Sequence, residues 1–314
     1  MNVLITAIGS FSADCVIHSL KERGNRVVGC DIYPAEWHAE SQLCDNVYRA
    51  PYATDEGKYI DFLLDVCTKE GIDYLIPLTD LEIDVINRNR NRFSAKNIFL
   101  CIQPESVLAI ARDKYAMYTL FENDVLVNVP YSVHSDRLSL DFPLPAIAKP
   151  VNGRSSEGLM RVSRQDELSL IQKKDNYIIQ EMLEGPVFTV DYVRDSFGND
   201  FSVPREELLR TKNGAGTTIR ITPDKNLVDV VSYIGNKIGI VGCVNMEFIL
   251  HDGKYYLIDI NPRFSAGVAF SNFLGYDMAL NNMLAYQGKR IDAAIEFSEQ
   301  IICKHYSEVL LWKK

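Results

Sequence analysis

Between Cys243 and Arg263, two apolar runs carry acids and amides at alternate positions and are separated by a turn signal. Val244-Asn245-Met246-Glu247-Phe248 and Leu257-Ile258-Asp259-Ile260-Asn261 both read as strands, with His251-Asp252-Gly253 between them. Alternation puts Asp259 and Asn261 on one face of the second strand and Ile258 and Ile260 on the other. The segment therefore commits the chain to an antiparallel hairpin with one apolar face and one face rich in oxygen ligands.

Whether the two acids meet depends on register. A three-residue loop at His251-Asp252-Gly253, with Gly253 left-handed, pairs Leu250 with Lys254 and Glu247 with Leu257, placing Glu247 diagonally beside Asp259. A two-residue turn sets the carboxylates on opposite faces, so a shared cation site needs the odd-length loop or a bulge. Such oxygen ligands suit Mg2+, which completes its octahedron with phosphate and water. The plain alternative is a solvated strand face.

Upstream, Asn2 to Ile8, Ser12 to Arg23 and Arg26 to Asp31 read as a βαβ opening with Gly24 stopping the helix. A helix from Lys58 to Glu70 and strands at Tyr74 to Pro77 and Ile98 to Cys101 extend it into a parallel α/β layer of roughly a hundred residues. A helix from about Ser106 to Asn123 follows. After a strand ending at Lys149, short strands alternate with turns, with one helix near Leu227 to Ile238, which reads as α+β with antiparallel strands. The opening lacks a dinucleotide fingerprint, since Ile8-Gly9-Ser10-Phe11-Ser12 has one glycine where three are needed.

With 33 basic against 42 acidic side chains, a nucleic-acid backbone is not the expected partner. Seven dispersed cysteines suggest neither a zinc knuckle nor a disulfide framework. Met1 to Ser10 suits a buried strand better than a signal peptide, and no apolar run approaches the roughly 20 residues of a membrane span. The expectation is a cytoplasmic protein that does not bind membranes.

Further segments hold candidate ligands. Lys149-Pro150-Val151-Asn152-Gly153-Arg154-Ser155-Ser156-Glu157-Gly158 joins a strand-end cation to a small-residue loop that could surround phosphates, although such clusters are usually only turns. The apolar strand Tyr177-Ile178-Ile179-Gln180-Glu181 runs into Met182-Leu183-Glu184-Gly185-Pro186, a hinge able to present backbone groups to a flat heterocycle. Three cations, Arg205, Arg210 and Lys212, lie near the turn at Asn213-Gly214.

Ile258-Asp259-Ile260-Asn261-Pro262-Arg263 resembles the acidic-x-Asn-Pro-Arg signature of ATP-grasp enzymes, in particular their carbamoyl-phosphate-synthase-like branch. The family more often has Glu where Asp259 stands. The resemblance implies that Glu247, Asp259 and Asn261 hold two Mg2+ ions, with Mn2+ as an alternative, while Arg263 contacts phosphate. It assigns Lys114, Lys149, Gly153, Ser155, Ser156 and Gly158 to the ATP phosphates. The backbones of Gln180, Glu181 and Leu183 would take adenine, with Ile147 and Met246 as apolar walls.

Val187 and Phe188 occupy the place of the usual ribose-binding acid, for which Glu184 or Asp191 would substitute. Arg205, in a Pro-Arg-Glu segment, would meet the transferring phosphate or the substrate carboxylate and act in catalysis with Lys149 and Arg263. Gly9, Ser10, Asp31 and, more so, Glu82 are candidates for the substrate side.

The resemblance spans nearly the whole chain in the family's order. It implies a Rossmann-like α/β preface over residues 1–104 and an ATP-grasp domain over 105–314, with a mobile lid at about 118–183. The implied activity is an ATP- and Mg2+-dependent ligase that activates a small carboxylic acid as an acyl phosphate for attack by an amine. Carbamate phosphorylation and nucleotide sensing without turnover are the alternatives. Relatives commonly form dimers, so a homodimer is expected.

Overall fold

The computed structural model describes residues 1–153, 157–212 and 214–311. In the N-terminal layer, β1 (Asn2–Thr6), β2 (Arg26–Asp31), β3 (Asn46–Arg49), β4 (Tyr74–Ile76) and β5 (Phe99–Leu100) align parallel in the order β3-β2-β1-β4-β5. Val3, Leu4 and Ile5 are all buried, which is why β1 is an unbroken apolar run rather than an alternation. The helix α1 (Ala13–Glu22) covers one face; α2 (Glu56–Glu70), α3 (Asp80–Arg88) and α4 (Arg90–Ser94) cover the other.

The single helix expected over 106–123 is two, α5 (Glu105–Ala111) and α6 (Lys114–Phe121). The break falls at Arg112-Asp113. The Asp113 carboxylate caps α6 by accepting from the Ala116 N–H at 2.8 Å, while Arg112 turns aside into a two-pronged pair with Asp84. Lys114 consequently starts a helix instead of sitting within one.

Next, β6 (Ser132–His134), β7 (Ala146–Pro150), β8 (Met160–Val162) and β9 (Tyr177–Glu181) make a small antiparallel sheet in the order β6-β9-β7-β8. The helix α7 (Gln165–Gln172) backs it through Leu168 and Ile171, which pack with Ala146, Ala148, Val162 and Ile179 in a core of their own.

The largest sheet is antiparallel and holds β10 (Val187–Arg194), β11 (Asp200–Arg210) and β12 (Gly216–Ile221). After α8 (Lys225–Ile238) come β13 (Gly242–His251) and β14 (Lys254–Asn261), and after α9 (Val268–Phe273) and α10 (Met278–Tyr286) comes β15 (Gln300–Cys303). The order is β14-β13-β10-β11-β12-β15. One face packs on α5, α6 and α8. On the other, Val193, Phe201, Val203, Ile219 and Ile221 share a core with Val16, Ile17 and Leu20 of α1 and with Met278 and Met283 of α10. Among the described residues no helix is long and apolar enough to cross a membrane.

The β13–β14 hairpin corrects the expected loop. His251 pairs with Lys254 and Leu250 with Tyr255, so the turn is the two residues Asp252 (φ 46°) and Gly253 (φ 73°), both left-handed. The ladder then shifts: Phe248 pairs with Leu257 but Glu247 with Asp259, leaving Ile258 as a bulge. The bulge restores what a two-residue turn would have destroyed, and the two carboxylates stand directly opposite on one face.

Candidate active site

A cleft of about 1000 Å³ opens where the three sheets converge. Its floor is β10, β11, β13 and β14, the small sheet overhangs one end, and the loops after β1 and β4 close the other. On β13, alternation turns Asn245, Glu247 and Ile249 into the cleft and Met246 and Phe248 into the core beneath. Met246 is therefore no apolar wall of the cleft; Ile147, Leu159, Met182, Val187, Ile249 and Ile258 are. Ile258, expected on the face opposite Asp259, reaches the cleft because it is the bulged residue.

The acid pair is held by cations. Glu247 accepts from Arg210 Nη2 at 3.2 Å, and Asp259 accepts from Lys114 Nζ at 2.9 Å. Lys114, which does not itself line the cleft, also donates to the Gly153 carbonyl at 3.1 Å. Asn261 donates its Nδ2 to Asn245 Oδ1 at 3.1 Å, leaving its amide oxygen to accept. Burial raises the Glu247 carboxyl pKa, with Asp259 opposite adding to the effect and Arg210 opposing it. Two opposed carboxylates and an amide oxygen, each carboxylate occupied by a flexible cationic side chain, fit a hard divalent cation. Among the described residues no cluster of three or more His, Cys, Asp or Glu provides a richer set.

Lys149 enters from β7 and donates to the Tyr118 hydroxyl at 2.8 Å. That hydroxyl also lies 2.8 Å from the Ile258 carbonyl oxygen and 3.1 Å from Gln180 Oε1. Burial, with Lys114 nearby, lowers the Lys149 ammonium to about 7 despite the two acids. Tyr118 follows Lys114 by four residues, so helical spacing could have drawn it in beside Lys114.

At the hinge, Gln180, Met182, Leu183 and Glu184 line the cleft. Glu181 does not, because Tyr131 uses both its N–H (3.0 Å) and its carboxylate (2.9 Å). Gly153 and Gly158 also lie outside the lining. The Gly153 carbonyl serves Lys114, and Gly158, at φ 70°, accepts from the Tyr177 hydroxyl. Ser155 and Ser156 fall outside the described residues, as do Arg154 and Asn213.

Arg205 is almost wholly buried on β11. It donates to Asp191 Oδ2 at 2.7 Å and to Ser265 Oγ at 3.0 Å, with Nε 3.3 Å from Glu207. Asp191, considered for a ribose, is spent behind the cleft on Arg205 and Ser271; Glu184 remains at the rim. Arg263 donates through Nε and Nη2 to Asp80 Oδ2 at 3.1 and 3.0 Å. Burial works against the charge of Asp80, but Arg263 and Arg112 hold its carboxyl below the usual range.

Asp80, not Glu82, is thus the acid of the first turn of α3 that faces the cleft. Glu82 points inward, where Tyr59 and Thr79 each donate to it at 2.7 Å and burial raises its pKa. Asp31 likewise serves structure, accepting from the Gly9 and Tyr33 N–H groups, while Gly9 and Ser10 do line the cleft. Sequence reasoning also passed over Glu207, although alternation from Arg205 puts it on the same face.

Residues 111–267 match the family model for an ATP-grasp domain, and residues 3–101 match that for a PylC-like N-terminal domain. The chain is 28% identical over 294 residues to the carbamoyl phosphate synthase large chain of Thermoplasma acidophilum, covering 83% of this chain and 27% of that one. It spans about a quarter of the length of such curated relatives.

Among solved structures it resembles the biotin carboxylase domain of Hydrogenobacter thermophilus 2-oxoglutarate carboxylase, a dimer in complex with MgADP, ADP and bicarbonate. The TM-score is 0.79 at 18% identity over 96% of this chain and 74% of that one. It also resembles a biotin carboxylase complex with β-γ-ATP from Campylobacter jejuni, with a TM-score of 0.77 at 16% identity over 93% and 72%. These two likenesses concern the fold.

Proposed function

The chain belongs to the ATP-grasp family, and from that premise we propose that it is an ATP- and Mg2+-dependent ligase, activating a small carboxylic acid as an acyl phosphate for attack by an amine. The observation that carries this reading is the opposed pair Glu247 and Asp259, brought to one face by the Ile258 bulge and flanked by Asn261. ATP with two Mg2+ ions, or Mn2+ in their place, would supply the phosphoryl group and the charge neutralisation for its transfer.

Glu247, Asp259 and Asn261 would hold the ions. Lys149 and Lys114 would meet phosphate oxygens, and Gln180, Met182 and Leu183 would border the base between Ile147 and Ile258. Arg263, steadied by Asp80, and Arg205, steadied by Asp191, would stabilise charge on the transferring group and orient the acid. We divide the chain at 104/105, in keeping with the two family matches, and take about 118–183 as the lid that excludes water from the acyl phosphate. A homodimer is proposed by likeness to the dimeric carboxylase domain, and a cytoplasmic location accords with seven free thiols.

The similarity to carbamoyl phosphate synthase large chains favours a second reading, in which carbamate is the phosphoryl acceptor. One experiment separates these. The purified protein is incubated with ATP, Mg2+ and either pooled small carboxylic and amino acids or bicarbonate with ammonia, beside an Asp259→Ala, Asn261→Ala double variant. Pool-dependent ADP release that disappears in the variant supports the ligase, and release confined to bicarbonate and ammonia supports the second reading. Binding of ATP without release in either mixture points to a nucleotide sensor, and failure to bind ATP refutes all three.

A further inference from the structure

Glu207 is a buried cleft acid to which the proposed phosphoryl chemistry gives no task. It stands on β11 two residues beyond Arg205, lines the cleft, and has a side chain only 2% exposed. Its Oε1 lies 3.3 Å from Arg205 Nε, whereas Oε2 is buried with no hydrogen-bond partner among the described residues. Arg205 cannot neutralise it alone, because the same guanidinium is bonded to Asp191 at 2.7 Å. The other cation acting in this region, Lys304, has its ammonium on the Ala266 carbonyl at 2.6 Å. Glu247 adds negative charge from the neighbouring floor and is itself taken by Arg210.

Gly216, another lining residue, accounts for the seat of this carboxylate. A Cβ there would meet Glu207 Oε2, so the carboxylate as placed lies directly against the bare backbone of this glycine. An unpartnered buried carboxylate oxygen destabilises a fold, since the desolvation of a charged group is left uncompensated. Such a group calls for a cationic hydrogen-bond donor from outside the chain, and a primary ammonium offers three N–H groups around one compact charge.

We propose that Glu207 binds the ammonium of the amine co-substrate and takes its proton, an inference that rests on the ligase reading for the step that follows. The ammonium gives one proton to the carboxylate, and the freed amine attacks the carbonyl carbon of the acyl phosphate. The C–N bond forms, the C–O bond to phosphate breaks, and phosphate leaves with the electron pair. The second nitrogen proton departs with the phosphate, and Glu207 returns its own to solvent. The co-substrate is accordingly a primary alkylamine or the α-amino group of an amino acid, entering in its charged form.

Two measurements on the full chain test the assignment. In thermal-shift titrations, ethylammonium chloride is compared with tetramethylammonium chloride, which has the charge but no N–H, at matched ionic strength. Ethylammonium is expected to raise the melting temperature by roughly 2 °C more in the wild type. The difference vanishes in Glu207→Gln and persists in Glu206→Gln, whose acid pairs with Arg220 on the other face of the strand.

In the pooled-acid reaction, hydroxylamine, a neutral nucleophile, traps acyl phosphate as hydroxamate without needing that base. The ratio of amide product to hydroxamate should fall about 100-fold in Glu207→Gln. Equal responses of the wild type and Glu207→Gln to ethylammonium, or equal losses of amide and hydroxamate, overturn the proposal. Absence of hydroxamate from the wild type overturns the ligase reading instead, and the ammonium titration then decides the binding site by itself.

Discussion

Individual side chains in the cleft are poised by neighbours that the linear pattern does not reveal. Lys149, lowered to about 7, loses its charge near neutral pH, whereas bound triphosphate would favour the charged form and raise its pKa. ATP binding should therefore take up a proton above neutrality. Affinity should fall as pH rises through about 7, by up to roughly tenfold per unit, until the higher pKa of the complex is passed. Lys149→Arg keeps its charge and should flatten this profile; calorimetry in buffers of differing ionisation enthalpy reads the proton directly. Asp80 acts through Arg263, so Asp80→Asn leaves two arginines facing a neutral amide. It should cost roughly 3 kcal/mol in denaturant unfolding, and steady-state kinetics should show kcat falling more than the KM for ATP rises. These residues were only partly legible: alternation joined Asp259 to Asn261 but left Glu247 to a register the sequence did not fix, and Asp80 and Glu82 both fall in the first turn of α3, where only the tertiary placement of the helix decides which faces the cleft.

At the scale of elements, two glycines near the hairpin show how position decides the effect of one substitution. Gly253 is left-handed at φ 73° with open space around it, so Gly253→Ala meets only the backbone penalty of about 1 kcal/mol. Gly185, in the hinge between β9 and β10, lies against the Leu250 carbonyl, which a Cβ would strike. Gly185→Ala should cost about 2 kcal/mol or more and weaken nucleotide binding by moving the hinge. Equilibrium unfolding and nucleotide titration of the two variants compare the effects; equal losses would refute the steric account. The turn glycine was visible in the sequence, whereas the bulge was not, because nothing in Leu257-Ile258-Asp259 distinguishes an unpaired residue from a paired one. The register is settled by Glu247 and Asp259 both avoiding the apolar core beneath β13 and β14.

In the whole molecule, α1 of the N-terminal layer and the β11–β12 face of the large sheet bury their apolar residues in one core with α10. Residues 1–104 expressed alone would lose the part of this core that the large sheet and α10 supply. We expect the separated halves to aggregate and the intact chain to unfold its two large sheets in a single calorimetric transition. The small sheet has its own small core, with Leu168 and Ile171 of α7 against Ala146, Ala148, Val162 and Ile179, and should exchange its amide hydrogens faster than β10 to β14, slowing with MgATP. The sequence by itself determined the parallel opening layer, the antiparallel second part and a hairpin carrying acids and amides at alternate positions. Each rests on local periodicity and turn chemistry, which act over a few residues. Only the tertiary structure decided which acids face the cleft, where the long helix breaks, that Asp80 steadies Arg263 and that Glu207 keeps an oxygen without a hydrogen-bond partner among the described residues. Those outcomes depend on contacts between residues far apart in the chain, where packing and charge pairing choose among orientations that local pattern leaves equivalent.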